Sequence, residues 1–188
     1  AAGVGDPGWG TNAAFVDYDR DGDIDLYVAN YMSFSVDDNK ECFGGKVRSY
    51  CGPTTYPGQS GVLYRNDGDA GFADVTEAAG LYNDTGRQLA AVFGDIDDDG
   101  DQDLFVANDK TANFLFVNND DGTFTETGII AGVAYINMAA AWYNPTLLTH
   151  YYHYFLGHFS PVLGRLFTVL SRFPASFRQD GENGRRMA

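Results

Sequence analysis

Hydrophobic positions in the first two thirds of the chain come in short runs. Ala13-Ala-Phe-Val, Ile24-Asp-Leu-Tyr-Val-Ala, Gly61-Val-Leu-Tyr-Arg and Phe72-Ala-Asp-Val-Thr are four to six residues long. A second set follows: Ala90-Ala-Val-Phe, Leu104-Phe-Val-Ala, Phe114-Leu-Phe-Val and Phe124-Thr-Glu-Thr. The runs are rich in Val, Phe and Tyr and are bounded by Gly, Asn and Asp. This pattern predicts strands joined by hairpin turns. No segment before Ala134 carries a convincing helical period, although residues 75–79 predict a short turn.

The two sets are copies of one unit. The segment from Leu63 to Leu81 matches that from Leu115 to Val133, 52 residues on. A nine-residue acidic loop starting at Asp17 returns at Asp95, 78 residues on. The difference of 26 residues (78 − 52) fits an insertion in the first copy over residues 31–57. Four strands in about 50 residues, repeated, predict an all-β fold built of β-propeller blades. A β-sandwich is the rival, but it does not need repetition at the level of sequence.

The acidic loops carry the candidate chemistry. Asp17, Asp19, Asp21, Asp23 and Asp25 occupy alternate positions of one window, with Gly22 at the sixth position. Asp95, Asp97, Asp99, Asp101 and Asp103 repeat the spacing around Gly100. At about 4 Å and an effective dielectric of about 20, each like-charged pair costs on the order of 4 kcal/mol. Such loops are expected to wrap a hard cation. The side chains at positions one, three, five and nine would be ligands, with the backbone carbonyl of Asp23 or Asp101. Calcium is expected ahead of magnesium, because an all-protein oxygen set suits the larger and more flexible coordination sphere. An EF-hand would need Glu at the twelfth position, where Val28 and Val106 stand, and flanking helices. The bland alternative is a pair of solvated acidic turns.

Charge and composition narrow the function. The chain has 188 residues, 44% of them hydrophobic, and a formal net charge of −14. Residues 1–134 hold 24 acidic and 7 basic side chains, while residues 135–188 hold 2 and 5. The acidic part argues against nucleic-acid binding, which requires clustered Lys and Arg. It contains no histidine, so a Ser-His-Asp or Cys-His site cannot be assembled there. The chain starts in mid-pattern without an initiator Met and reads as a mature form or a fragment.

With loop, insertion and hairpin in this order, the chain resembles the FG-GAP or VCBS repeat family. Phe15-Val-Asp-Tyr-Asp-Arg-Asp-Gly-Asp-Ile-Asp-Leu-Tyr-Val-Ala-Asn30 carries the resemblance. Cys51-Gly-Pro, Tyr56-Pro-Gly, Leu63-Tyr-Arg-Asn-Asp-Gly and Phe72-Ala-Asp-Val-Thr-Glu-Ala-Ala-Gly-Leu bring it nearer to the cartilage acidic protein group, whose members often end in an ASPIC/UnbV domain. The resemblance implies an integrin-α-like propeller, usually of seven blades, with calcium in the blade loops and an extracellular, cell-surface or periplasmic setting. It implies adhesion, or contact with a protein or glycan, and not a known reaction. Two blades are visible, and no ASPIC/UnbV-type segment is recognisable.

Cys42 and Cys51 lie in the insertion. In an oxidising compartment they are expected to pair, contributing roughly 2–3 kcal/mol for a loop of this size. Two unrelated thiols are the alternative, and no further Cys or nearby His completes a zinc site. Polysaccharide lyases and dehydratases built on similar propellers supply an enzymatic alternative, for which Tyr56, Arg65 or Arg87 would be needed. A purely structural segment of a larger surface protein is a third.

Beyond Ala134 the pattern stops. A third acidic loop is due near position 147, which is Leu147, and no acidic residue occurs between Glu126 and Asp180. A divergent, irregular or helical tail over residues 135–188 is expected, with a disrupted reading frame as its favoured origin. An interfacial helix pair or a metal cluster of His150, His153 and His158 are the alternatives. Prolines 145 and 161 argue against a spanning helix.

Overall fold

The computed structural model describes residues 2–135, which lie within the compact unit Ala1–Tyr135. The readings of residues 136–188, including Leu147 and the three histidines, lie outside the described residues.

Among the described residues ten strands form: β1 (Gly10–Val16), β2 (Asp25–Asn30), β3 (Cys42–Gly44), β4 (Val47–Ser49), β5 (Val62–Asn66), β6 (Phe72–Asp74), β7 (Gln88–Gly94), β8 (Asp103–Asn108), β9 (Phe114–Asn118) and β10 (Phe124–Glu126). No α-helix occurs among the described residues; two short 3-10 turns cover Pro53–Thr55 and Gly68–Ala70. β3 pairs with β4 alone, and the other eight strands form two antiparallel four-stranded sheets, β1-β2-β5-β6 and β7-β8-β9-β10. These are two propeller blades, as the repeat predicts. Residues 75–79 form the expected turn, closed by Ala79 N–H donating to the Val75 carbonyl at 2.8 Å.

The second blade repeats the first down to its irregularities. Gly10 pairs with Asn30 and Gln88 with Asn108, and each first strand is bulged one residue later. Both pairs are offset by 78 residues. The offset is 52 for β5 against β9 and for β6 against β10. The 26-residue difference is the insertion, which adds the β3–β4 hairpin and the Pro53–Thr55 turn between β2 and β5.

Alternation sets which residues meet between the blades. In β2, Asp25, Tyr27 and Ala29 are buried while Leu26 and Val28 are half-exposed. Tyr27 and Ala29 join Val16, Leu63, Leu81, Leu104, Val106, Phe114 and Phe116 in one core that draws on both sheets. Burying a side chain of this size stabilises by about 1.5–3 kcal/mol. Polar groups also pair across the seam. The Tyr27 hydroxyl donates to Gln88 Oε1 at 2.9 Å, and Ala91 N–H donates to Asn12 Oδ1 at 3.1 Å. The insertion is pinned to the second blade by Arg87, whose guanidinium donates to the carbonyls of Pro53 (2.7 Å) and Tyr56.

Candidate metal centres

Both acidic loops are the hairpin links between the first two strands of a blade, after β1 and after β7. The chain turns sharply there. Positions four (Arg20, Asp98) and six (Gly22, Gly100) have positive φ, of 60°, 72°, 94° and 95°. Glycine at position six lets the backbone take that region without a Cβ penalty. Side chains tighten the turn. Gly22 N–H donates to Asp17 Oδ2 at 3.2 Å, Asp23 N–H to Asp21 Oδ1 at 2.8 Å, and Asp101 N–H to Asp99 Oδ1 at 3.1 Å.

The folding brings positions one, three and five together. Asp17, Asp19 and Asp21 offer carboxylate oxygens within 4.8 Å of one another, and so do Asp95, Asp97 and Asp99. Burial, then the adjacent Asp21, holds Asp19 above the ordinary carboxylate range. Burial, then Asp99, does the same to Asp97. These carboxylates press on one another, and the Arg65 guanidinium offsets only part of the rise at Asp19.

Position nine stands elsewhere. Asp25 is fully buried and accepts from two backbone donors, Tyr18 N–H at 3.1 Å and Asn66 N–H at 2.8 Å. Asp103 accepts from Ile96 N–H at 2.8 Å and Asn118 N–H at 3.0 Å. Neither belongs to the converging triads. Each ties its loop to the end of the third strand of the blade. Burial raises both pKa values, against the backbone donors, which lower them.

Position seven differs between loops. Asp23 is exposed, whereas Asp101 is only 2% exposed and neither of its carboxylate oxygens has a hydrogen-bond partner. Burial, then Asp99 and Asp103, pushes Asp101 up to about 6. Asp17 Oδ1 is also buried without a partner. A buried carboxylate left unpaired is costly. A divalent ion on Asp17, Asp19 and Asp21, or on Asp95, Asp97 and Asp99, would neutralise this cluster, so the donor sets fit an oxygen-seeking cation.

Two residues absent from the sequence-based candidates complete the loops. Asn66 and Asn118 occupy the same repeat position, at the ends of β5 and β9. Their backbone N–H groups hold Asp25 and Asp103, and their side chains donate to the carbonyls of Ile24 (3.2 Å) and Gln102 (3.3 Å). The signal was the matched Asn in Leu-Tyr-Arg-Asn66 and Leu-Phe-Val-Asn118.

Among the alternative enzymatic candidates, Tyr56 donates its hydroxyl to Asn39 Oδ1 at 3.0 Å and accepts from Lys40 N–H at 3.1 Å. Arg65 Nε bonds Asp67 at 2.7 Å, and Arg87 holds the insertion. The structure does not bring these three to one point of chemistry. Cys42 and Cys51 form a disulfide, with Cα atoms 5.1 Å apart.

Blades of this topology, with an aspartate-rich loop between their first two strands, define a class, and comparison with known proteins places the chain in it. Residues 95–146 match the FG-GAP-like repeat family, to which the chain belongs. The match includes the second loop and runs past residue 134. The chain is also 31% identical to human Cartilage acidic protein 1 over 133 residues, 71% of this chain. It spans 18% of that protein's length.

Proposed function

We propose that this chain is a calcium-stabilised binding module of an extracytoplasmic propeller protein, acting by adhesion to a protein or glycan and not by catalysis. The observation that carries the reading is the pair of equivalent aspartate triads, each with its oxygens within 4.8 Å. The two buried, unpartnered oxygens of Asp101 support it. Calcium bound there supplies positive charge that offsets the carboxylate repulsion. Asp17, Asp19 and Asp21 hold one ion, and Asp95, Asp97 and Asp99 the other. Asp25 and Asp103 anchor the loops from behind.

Metal in this role is structural. It sits in the turns that start each blade and leaves the surfaces between and beyond them for a ligand. The Cys42–Cys51 disulfide suits an oxidising compartment. No helix among the described residues is long and apolar enough to cross a membrane. Affinity typical of extracellular calcium modules is on the order of 0.1–1 mM. Thermal unfolding of the full chain with and without millimolar calcium tests the reading. A clear upward shift, reversed by chelator, is expected; an unchanged midpoint sinks it. Chelator-sensitive turnover in a polysaccharide screen would favour the lyase or dehydratase alternative.

A further inference from the structure

The insertion does more than lengthen the first repeat. Beside it opens a groove of about 810 Å³, within the size range of small-molecule sites. It lies by Trp9, which precedes β1, whereas the first metal loop follows the other end of that strand. Seven residues of strand separate the two by roughly 20 Å. The groove is therefore distinct from the metal centres.

Its walls combine two kinds of group. Trp9, Phe34 and Tyr56 form a continuous aromatic set, with ring centroids 5.8 Å apart for Trp9 and Phe34 and 5.3 Å for Phe34 and Tyr56. Tyr50 adds a fully exposed ring, and Trp9 is 46% exposed. Core packing does not account for large rings left in water. The charged side chains on the lining are both cations, Lys40 and Arg48. In a chain of net charge −14 that is the unusual feature.

Both cations keep capacity for a ligand. Lys40 Nζ lies 5.3 Å from the Tyr56 ring centroid and donates to the Thr55 carbonyl at 3.0 Å, using one of three donors. Arg48 meets Glu41 at 3.3 Å, with both side chains about two-thirds exposed. Such a pair contributes little and yields readily to a better-placed anion. The disulfide holds this wall, since Cys42 pairs with Ser49 across the β3–β4 hairpin and is bonded to Cys51.

We propose that this groove binds an acidic oligosaccharide, with the C–H face of a uronate-type ring on Trp9 and carboxylates on Lys40 and Arg48. One rigid sugar unit carries both an apolar face and an anionic group, so it satisfies rings and cations together at small entropic cost. Arg48 can take a carboxylate by two parallel hydrogen bonds. This deepens the binding-module reading and rests on it.

The test is isothermal titration of the full, calcium-loaded chain with tetragalacturonate, with a blank of probe into calcium buffer. Saturable binding is expected, weakened by added salt. Lys40→Gln or Arg48→Gln should each weaken it about tenfold, and Trp9→Ala more, with far-UV circular dichroism and the calcium-loaded thermal midpoint unchanged. The same affinity is expected for the chelator-stripped chain, at a temperature where circular dichroism shows it folded, which separates the groove from uronate captured by loop calcium. Equal binding of a neutral tetrasaccharide, tighter binding of an acidic tyrosine-containing peptide, or indifference to Arg48→Gln would each overturn the proposal. So would no binding at all with calcium uptake intact, an outcome that leaves the metal reading standing. Failure of calcium uptake sinks that reading instead.

Discussion

The Asn118 side chain donates to the Tyr18 carbonyl at 2.9 Å, across the seam between the blades. Its backbone N–H donates to Asp103 at 3.0 Å. One residue thus holds the anchor of the second metal loop and the backbone of the first. Arg20 and Asp120 add an exposed ion pair over the same seam. Asn118→Ala leaves the buried Tyr18 carbonyl without this donor and is expected to cost about 1–2 kcal/mol. It should also weaken calcium binding at the first loop. Denaturant unfolding, and calcium titration in an Asp97→Ala background that isolates that loop, check both.

The triad and the anchor should separate by mutation. Asp103→Ala removes the acceptor of two backbone N–H groups and is expected to cost roughly 2–5 kcal/mol with or without calcium. Asp97→Ala removes one of three crowded carboxylates. It should leave the metal-free protein as stable as before, or slightly more so, and abolish part of the gain from calcium. Thermal midpoints of both variants in chelator and in calcium distinguish the two roles.

Metal-free stability should fall as pH rises. Asp101 titrates at about 6 in the folded chain, against an ordinary value of 3.8. Between these values the folded state holds more protons than the unfolded one, so the unfolding free energy decreases with pH. Burial raises Asp19, Asp97, Asp25 and Asp103 in the same direction. In chelator the midpoint at pH 5 should exceed that at pH 7. Saturating calcium should reverse the order, because the ion binds the deprotonated carboxylates. A metal-free midpoint that climbs from pH 5 to 7 contradicts this.

Arg87→Met should free the insertion from the second blade. The Pro53 and Tyr56 carbonyls lose their guanidinium donor. Trypsin should then cut faster after Lys46 and Arg48 than in the unaltered chain. These sites lie between Cys42 and Cys51, so the fragments separate only after reduction. Equal cleavage rates would show that the guanidinium does not hold this segment.

The blade architecture was legible because its signals are local and repeated. Alternating residues such as Asp25, Tyr27 and Ala29 declare a strand with one buried face. The offsets of 78 and 52 survive in the register of Gly10 with Asn30 and of Gln88 with Asn108. The converging Asp17, Asp19 and Asp21 were legible from alternate spacing around Gly22. The anchoring positions of Asp25 and Asp103 were not, because their partners Asn66 and Asn118 lie 41 and 15 residues on. Nor was the difference between exposed Asp23 and buried Asp101, which share one place in the repeat. The groove by Trp9 depends on an insertion whose hairpin is too short to show a period.

The loop roles all follow from calcium held by the two aspartate triads. Isothermal titration of calcium into the full, chelator-stripped chain at pH 7 tests this binding most directly. Uptake with millimolar or tighter affinity is expected, reduced by Asp19→Ala, reduced by Asp97→Ala, and abolished at both loops by the double variant. No heat or thermal shift at millimolar calcium, or uptake indifferent to both substitutions, would contradict it.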